Sequence, residues 1–391
     1  MKKKILFIIP NLKSGGAEKS LVTLLQLFDY DRYDVSLFLF RKEGLFLGCV
    51  PPQVRIFTAG ENHELFDGDA KTAIEAFIKK GRLDLAAARV LYAHSLKESD
   101  SYQRETKLWK HFRKSVCIPD EKFDCVIGYL EGPSDWLAAE MKADKKIGYM
   151  HSYLDNTSSD KKRFKENIKA FDSFVAVSQK CLKNLKNLAP EYNGFIEINN
   201  IISPTFILNE AKRECVTPEG KIKILTVGRI SHEKGIDVAV DACSALKNKG
   251  YPVKWYHIGT GDNYNDIKKQ IKKNETEKDF VLLGEKANPY PYINACDIYV
   301  QPSRYEGKSI AVDEAKCLHK PIVVTNFPSV YDQISHGING LICDMNPQAV
   351  ADAGEKLIND KALRDKLSYN LSQEKIGNEE EIQKLYDLIE S

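Results

Sequence analysis

Two cations stand on one short segment, GRISHEKG (Gly228–Gly235), directly behind the apolar run KILTV. Arg229 presents a planar fork of donors suited to bidentate contact with phosphate, and Lys234, five residues on, presents a point charge. Gly228 permits a tight turn and a close approach of the backbone. On one loop at the end of a strand these residues suit a diphosphate; a solvated basic turn is the plain alternative. A second segment, PSRYEGKSIAVDEAKCL (Pro302–Leu318), follows the run IYVQ. Glu306 precedes Gly307, and an apolar helix is expected to start near Ser309. The backbone amides of Lys308, Ser309 and Ile310 are then expected to point outward at the helix N-terminus, which makes an anion site. Glu314 lies about 7 Å further along that helix, at 1.5 Å rise per residue. One carboxylate beside the anion site and one a turn deeper can accept hydrogen bonds from sugar hydroxyls. Spacing alone is weak, because Glu277 and Glu285 share the same offset. Context separates the pairs: a strand before, a glycine after the first Glu, an apolar helix under the second.

Other strand ends carry residues of the same kind. GGAE (Gly15–Glu18) follows ILFII, so Gly15 and Gly16 can bring backbone close to a phosphate or sugar; two glycines before a helix are otherwise an ordinary turn. His151, in IGYMHS, ends a strand and is either a hydrogen-bonding group of the site or a satisfied structural histidine. Glu131, in GYLEGPSDW, stands beside Gly132, with a helix N-terminal charge as its equal alternative. IGTGD (Ile258–Asp262) repeats the strand–glycine–helix device with Gly259 and Gly261. Lys286 and NPYPY (Asn288–Tyr292) follow the next strand; Tyr290 can stack on a base, with packing as its commoner role.

The eight histidines and nine cysteines form no ligand cluster, so no metal is expected. Two Asp-x-Asp matches, Asp29–Asp31 and Asp67–Asp69, sit in polar loops beside helix-like segments, where capping is the ordinary role. The cysteines are odd in number and none is paired in Cys-x-x-Cys, which reads as reduced thiols of a cytoplasmic protein. No Walker A, Gly-x-Ser-x-Gly or GxGxxG with a distal acid is present. The first apolar run, Ile5–Ile9, is too short for a signal peptide, and no run approaches the roughly 18 apolar residues of a spanning helix. A net charge of +2 excludes a strong global pull towards nucleic acid, and none is expected as a partner.

The elements that must position these residues form a regular pattern. With 391 residues, 43% of them hydrophobic and 29% charged, the chain can bury two sizeable cores. Short Val/Ile/Phe/Tyr runs mark strands at Ile5–Ile9, Val35–Phe40, Val54–Ala59, Cys125–Leu130, Lys146–Met150, Phe174–Ser178 and Phe195–Asn199. Six more lie at Ile222–Val227, Lys254–Ile258, Phe280–Leu283, Ile298–Gln301, Ile322–Thr325 and Leu341–Cys343. Such runs suit parallel strands buried on both faces. Helical stretches between them, Ile236–Lys249 and Pro347–Ile358 among them, give βαβ units. The strand–glycine–helix opening occurs twice, at Lys4–Gly16 and Lys221–Gly235. This predicts an α/β chain of two doubly wound, Rossmann-like domains facing across a cleft: residues 1–203, a linker at 204–220, residues 221–372, and a last helix over 373–391 expected to pack back on the first domain. Ligands are expected at the carboxyl ends of the strands.

GRISHEKG followed about seventy residues later by SRYEGKSIAVDEA, together with GGAE, resembles the retaining glycosyltransferases of family 4, which have the GT-B fold and carry an E-x7-E signature. The resemblance covers nearly the whole chain. It implies that Arg229 and Lys234 bind the donor diphosphate, that Glu306 contacts the transferred sugar, that Glu314 binds the ribose hydroxyls, and that the amides after Glu306 receive the distal phosphate. It also implies that Gly15 and Gly16 wall the acceptor side, that His151 supports departure of the sugar, that Gly228, Gly259 and Gly261 line the donor site, and that the base is held near Lys286. No cofactor is implied, because the cations and amides neutralise the leaving diphosphate. The donor is a UDP-sugar, with a GDP-sugar as the alternative; the acceptor is a glycan or lipid-linked glycan of bacterial capsule, exopolysaccharide or lipopolysaccharide synthesis. Two other readings stay open: a sugar-nucleotide epimerase on the same fold, and an inactive nucleotide-binding partner subunit.

Lys161–Lys186 holds eight Lys or Arg against two acidic residues, with Phe164, Ile168 and Phe171 interleaved in its first part. Such a stretch can lie on anionic lipid at the inner face of the cell membrane or be a solvated helix face.

Overall fold

The computed structural model describes residues 2–152, 158–214 and 220–391, with the side chains of the helix that begins at 158 described from Lys162 onwards. The chain divides into two compact units, Met1–Ile201 with Glu380–Ser391, and Ile202–Glu379.

In the first unit seven strands form one parallel sheet: β1 (Lys3–Ile9), β2 (Tyr33–Leu39), β3 (Arg55–Thr58), β4 (Phe123–Gly128), β5 (Ala143–Met150), β6 (Ser173–Ala176) and β7 (Phe195–Glu197), in the order β3-β2-β1-β4-β5-β6-β7. Successive residues of β1 bury into opposite cores, Ile5, Phe7 and Ile9 on one face and Leu6 and Ile8 on the other, which explains the unbroken apolar run. The helix Glu381–Glu390 covers the first of these faces through Leu385, Tyr386 and Ile389. Tyr386 stacks on Tyr33 at 5.1 Å, and its hydroxyl accepts the Asp29 amide at 2.8 Å.

In the second unit six parallel strands, β8 (Ile222–Val227), β9 (Val253–Ile258), β10 (Phe280–Leu282), β11 (Ile298–Gln301), β12 (Ile322–Thr325) and β13 (Leu341–Cys343), run in the order β10-β9-β8-β11-β12-β13. Ile224 and Leu225 again enter cores on opposite faces. In each sheet the strand order reverses once, between β1 and β4 and between β8 and β11. Loops diverge at such a point and leave a crevice beyond the strand ends. GGAE follows β1, GRISHEKG follows β8 and PSRYEGKS follows β11.

All thirteen expected strands are present, with ends moved by a few residues. Two expectations change. Pro204–Glu210, read as linker, is a helix of the second unit, capped by Ser203 and anchored by buried Ile207. Pro204 starts that helix because proline is tolerated at its first position, where the amide has no intrahelical acceptor. The last helix begins at Glu381, eight residues later than expected, since residues 373–380 are turn and irregular chain. Between β3 and β4 lie the helices Leu83–Ser95 and Ser101–Phe112.

The basic stretch has a different role from the one its periodicity suggests. It is a helix, Ser158–Asn167, followed by a 3-10 turn, and Phe164, Ile168 and Phe171 are all buried in the first unit's core. Arg163 pairs with Glu105 and lies 3.5 Å over the Trp136 ring, and Lys162 lies 4.5 Å over Tyr102. The apolar face is used inside the protein.

Candidate active site

The loop after β8 is stitched to the loop after β9. The Gly228 amide donates to the Ile258 carbonyl at 3.0 Å, the Ile230 amide to the Thr260 carbonyl at 2.8 Å, and the Asn263 amide to the Ile230 carbonyl at 3.2 Å. Gly259, at φ +141°, is required by packing as well as by backbone: a Cβ there would stand 1.9 Å from the Gly228 carbonyl oxygen. A Cβ at Gly261 would stand 2.4 Å from the Ile230 carbonyl oxygen. These glycines are therefore explained by the close approach of two loops, whatever else they contact.

The same loop is clamped to the one after β11. Arg304 donates to both carboxylate oxygens of Asp237, at 2.8 and 2.5 Å, and to the His232 carbonyl at 2.8 Å. Its amide donates to the Glu233 carbonyl at 2.7 Å. Burial disfavours the Asp237 anion, but the Arg304 guanidinium beside it prevails and holds the carboxyl below its ordinary range. The clamp fixes the loop segment His232–Gly235 that carries Lys234.

Lys234 and Glu306, 72 residues apart in sequence, are in direct contact: the ammonium donates to Glu306 Oε2 at 2.6 Å. Glu306 Oε1 accepts from Ser303 Oγ at 2.7 Å and from Gln301 Nε2 at 3.2 Å, and the Glu306 carbonyl accepts from Ser329 Oγ at 2.8 Å. Glu306 is only 6% exposed. A buried side chain so surrounded is held in one orientation, with each oxygen engaged. Gln301 and Ser303 were not singled out from sequence. A signal was present, since a glutamine ending the apolar run IYVQ is a buried polar group that needs a partner.

Glu314 is 2% exposed, and its Oε1 accepts from the Tyr290 hydroxyl at 3.1 Å. This excludes the surface helix charge that would otherwise explain Glu314. It also removes Tyr290 from base stacking, because the ring is 5% exposed and packed in the core. Lys286 is half-buried with its ammonium 6.0 Å from the centre of the Tyr292 ring. Arg229 is exposed. Glu277 and Glu285, which share the E-x7-E offset, are both on the surface, whereas Glu306 and Glu314 are buried.

The helix after β11 starts where expected, Ile310–Cys317 with Ser309 preceding it. The expectation for its amides changes at one position. The Ser309 amide donates to Gln333 Oε1 at 2.8 Å, and Gln333 Nε2 returns bonds to the Ser309 carbonyl at 2.9 Å and to Asp313 Oδ1 at 2.8 Å. That amide is occupied by the protein itself, which leaves Lys308 and Ile310 as the amides of the expected anion site. The Lys308 side chain pairs with Asp313 at 3.4 Å. Gly307 is exposed, and a Cβ there would meet no atom within 4 Å.

In the first unit, Gly15 precedes the helix Gly16–Gln26 and lies under the Glu18 carboxylate. His151 directly follows β5. Its amide donates to Glu131 Oε2 at 3.2 Å, and its ring stacks against Tyr149 and packs on Tyr129. Burial lowers its pKa to about 4 against the opposing charge of Glu131, so the imidazole is neutral near pH 7. Its Nε2 is covered and has no hydrogen-bond partner among the described residues. Glu131 also accepts from Ser152 Oγ, so it serves the strand ends rather than its own helix alone.

The two Asp-x-Asp pairs serve turns and caps. Asp29 accepts the Asp31 amide at 3.0 Å, Asp69 caps the helix Ala70–Lys79 through the Thr72 amide at 2.9 Å, and Asp67 pairs with Arg41. Among the described residues no group of three or more His, Cys, Asp or Glu is arranged to hold a metal ion. No helix of the described residues is long and apolar enough to cross a membrane.

Residues 209–374 match the family model of glycosyl transferases group 1, so the resemblance carried by GRISHEKG and SRYEGKSIAVDEA is borne out over the segment that holds both. The chain is 29% identical over 232 residues to the capsular polysaccharide biosynthesis glycosyltransferase CapM of Staphylococcus aureus, an alignment covering 56% of this chain and 60% of that protein. It is 24% identical over 241 residues to the N,N'-diacetylbacillosaminyl-diphospho-undecaprenol alpha-1,3-N-acetylgalactosaminyltransferase of Campylobacter jejuni, covering 58% and 63%. The chain thus spans less than two thirds of the length of these curated relatives. Among solved structures it resembles Anabaena Alr3699/HepE in complex with UDP and glucose, with a TM-score of 0.66, 17% identity and 99% of each chain covered. The fold is the GT-B fold that the motifs implied.

Proposed function

We propose that this chain is a retaining glycosyltransferase that moves a hexose or N-acetylhexosamine from a UDP-sugar to a glycan or lipid-linked glycan of a bacterial surface polysaccharide. The observation that carries the proposal is the meeting of Lys234 with Glu306, Gln301 and Ser303 where the strand order of the second sheet reverses. A fixed cation and a fixed carboxylate at that place suit a leaving diphosphate and the sugar attached to it. Arg229 and Lys234 hold the diphosphate, the Lys308 and Ile310 amides its distal phosphate, Glu306 the transferred sugar and Glu314 the ribose. Gly228, Gly259 and Gly261 let backbone line the donor, and Lys286 flanks the base. From the first unit the proposal assigns Gly15 and Gly16 to the acceptor side, and His151, a neutral imidazole with an unpartnered covered nitrogen, to the sugar.

In the proposed step the bond from the anomeric carbon to the diphosphate oxygen breaks, and the acceptor oxygen bonds the same carbon on the same face. The acceptor proton passes to the departing phosphate oxygen. Arg229 and Lys234 act where negative charge grows, which is the largest catalytic contribution such a site can supply. Trapping of a covalent glycosyl–enzyme intermediate would refute this course.

Thermal denaturation with a panel of UDP- and GDP-sugars tests the donor. Binding to the native state alone raises stability by about 2.7 kcal/mol at a ligand concentration 100 times Kd. UDP-sugars are expected to raise the midpoint and GDP-sugars to leave it nearly unchanged. A panel in which neither series shifts the midpoint would sink the reading.

The proposal places the enzyme in the cytoplasm at the inner face of the cell membrane, through exposed Lys162 and Lys169. With the apolar face of that segment inside the protein, the contact is electrostatic, and each lysine near an anionic surface contributes about 1 kcal/mol. Binding to phosphatidylserine vesicles is expected at low salt and lost near about 1 M, where the Debye length is about 3 Å. Lys162→Glu with Lys169→Glu should lower it about tenfold or more. No co-sedimentation of the unaltered chain at low salt would dismiss the contact.

A further inference from the structure

A cavity of about 450 Å³ opens within the first unit at the carboxyl ends of β4 and β5, in the size range of ligand sites. Its walls come from the helices Ser101–Phe112, Pro133–Glu140 and Ser158–Asn167. Trp109 and Trp136 line it, edge to face at 5.4 Å, with Phe112 beside Trp109 at 5.9 Å. Glu131, Asp135 and Arg163 supply its charge. The Arg163 charge is already engaged by Glu105 and by the face of Trp136.

Asp135 is the unusual member. It is 3% exposed, and its Oδ1 has no hydrogen-bond partner among the described residues. A buried polar atom left unpaired is costly, and one retained in a native protein calls for an explanation. The sheet also gives way to it. Gly128, the last residue of β4, would place a Cβ 2.7 Å from Asp135 Oδ1 and 3.0 Å from its Cα, so glycine there lets the helix that carries Asp135 approach the sheet. Burial, reinforced by the charge of Glu131, raises the Asp135 pKa well above the ordinary value. The cavity therefore holds two carboxyl groups side by side, that of Asp135 with an oxygen left unpaired.

We propose that this cavity binds the acceptor, and that the acceptor presents an uncharged sugar ring there, with its apolar face on Trp109 and Trp136 and its hydroxyls on Asp135 and Glu131. The inference rests on the glycosyl-transfer reading of the second unit. A sugar ring combines an apolar face with several hydroxyls, which matches aromatic walls beside the two carboxyl groups of Asp135 and Glu131. A phosphate or uronate would face Glu131 with no uncommitted cation in the lining and pay a like-charge penalty. Glu131 links the cavity to the proposed sugar-binding histidine, because its Oε2 accepts the His151 amide while its Oε1 accepts the Ser152 hydroxyl.

Tryptophan fluorescence of the full chain tests the assignment, since two of the three tryptophans line the cavity. Methyl glycosides of glucose, galactose, mannose, N-acetylglucosamine and N-acetylgalactosamine are titrated with and without UDP. At least one is expected to give a saturable change. Asp135→Ala is expected to weaken it at least tenfold, Asp135→Asn to stay within about threefold because the amide keeps a donor and an acceptor, and Trp109→Leu to weaken it as well. UDP affinity should be the same in all four proteins. No saturable change with any glycoside, or equal binding by Asp135→Ala and Trp109→Leu, overturns the proposal. Failure of UDP to bind the unaltered chain would count against the donor reading alone, since the glycoside titration is read separately.

Discussion

Replacing Lys234 with alanine is expected to lower kcat for sugar transfer by roughly 10²–10³-fold, the loss typical of removing one preorganised stabiliser of developing charge. The ammonium stands on a loop held by Arg304 and Asp237, so little reorganisation is needed when the diphosphate leaves. Its loss also strips Glu306, 6% exposed, of its cationic partner. Breaking a buried pair from one side is usually costly, but Lys234 is part-exposed and water can replace it in part. The effect should therefore fall on turnover more than on folding. Glu306→Gln, which keeps shape and hydrogen-bonding capacity while removing charge, is expected to lower kcat by a similar factor. Because the two groups touch, the double variant should lose less than the product of the single losses. The measurements are kcat and KM with the UDP-sugar that gives the largest thermal shift, beside the melting midpoint of each variant. A loss below about fivefold in a fully folded Lys234→Ala protein would remove that lysine from the reaction.

The contrast between Lys234 and Arg304 shows what the sequence could reveal and what it could not. Both lie in motifs on strand-end loops, and both are cations. Lys234 stands out as a phosphate ligand because it shares one strand-end loop with Arg229. Arg304 sits three residues after the strand IYVQ and carries the clamp to Asp237, yet nothing in its local pattern marks it. Its partner is fixed by strand order: β11 lies beside β8, and only that neighbourhood brings residues 67 positions apart into contact. The strands themselves were legible because a parallel strand buried on both faces must be apolar at successive positions, and thirteen such runs leave few other readings. The basic segment around Phe164 stays ambiguous in sequence for the complementary reason. Amphipathic periodicity states that one face leaves water, but the protein interior and a lipid surface satisfy it equally, and here the interior took it. The Ser309 amide failed because its acceptor, Gln333, lies beyond the next strand.

The glycines Gly235 and Gly307 divide structural from functional need, and their alanine variants should behave oppositely. Gly235 sits at φ +64°, and a Cβ there would stand 2.0 Å from the Pro302 carbonyl oxygen. A left-handed non-glycine residue costs roughly 1–2 kcal/mol and overpacking against backbone a further 1–3, so Gly235→Ala is expected to destabilise the protein by about 2–5 kcal/mol. The strain cannot be relieved by a rotamer change, because the obstacle is main chain of the loop that carries Glu306. Relief by separating the loops would pull Lys234 away from Glu306, so residual activity should fall beyond what unfolding explains. Gly307 has no positive φ, and its Cβ position is open space, so the protein's own packing makes no demand for glycine there. Gly307→Ala is expected to leave urea stability within about 0.5 kcal/mol, the range of surface substitutions away from special features. Glycine still allows a ligand to approach the main chain more closely than alanine does. If the donor lies against residues 306–308, the added methyl should weaken UDP-sugar affinity about tenfold or more, a loss of about 1.4 kcal/mol. Urea titration and donor binding measured on both variants separate the cases. An unaltered donor affinity in Gly307→Ala would move the donor away from this loop while leaving the structural account of Gly235 intact.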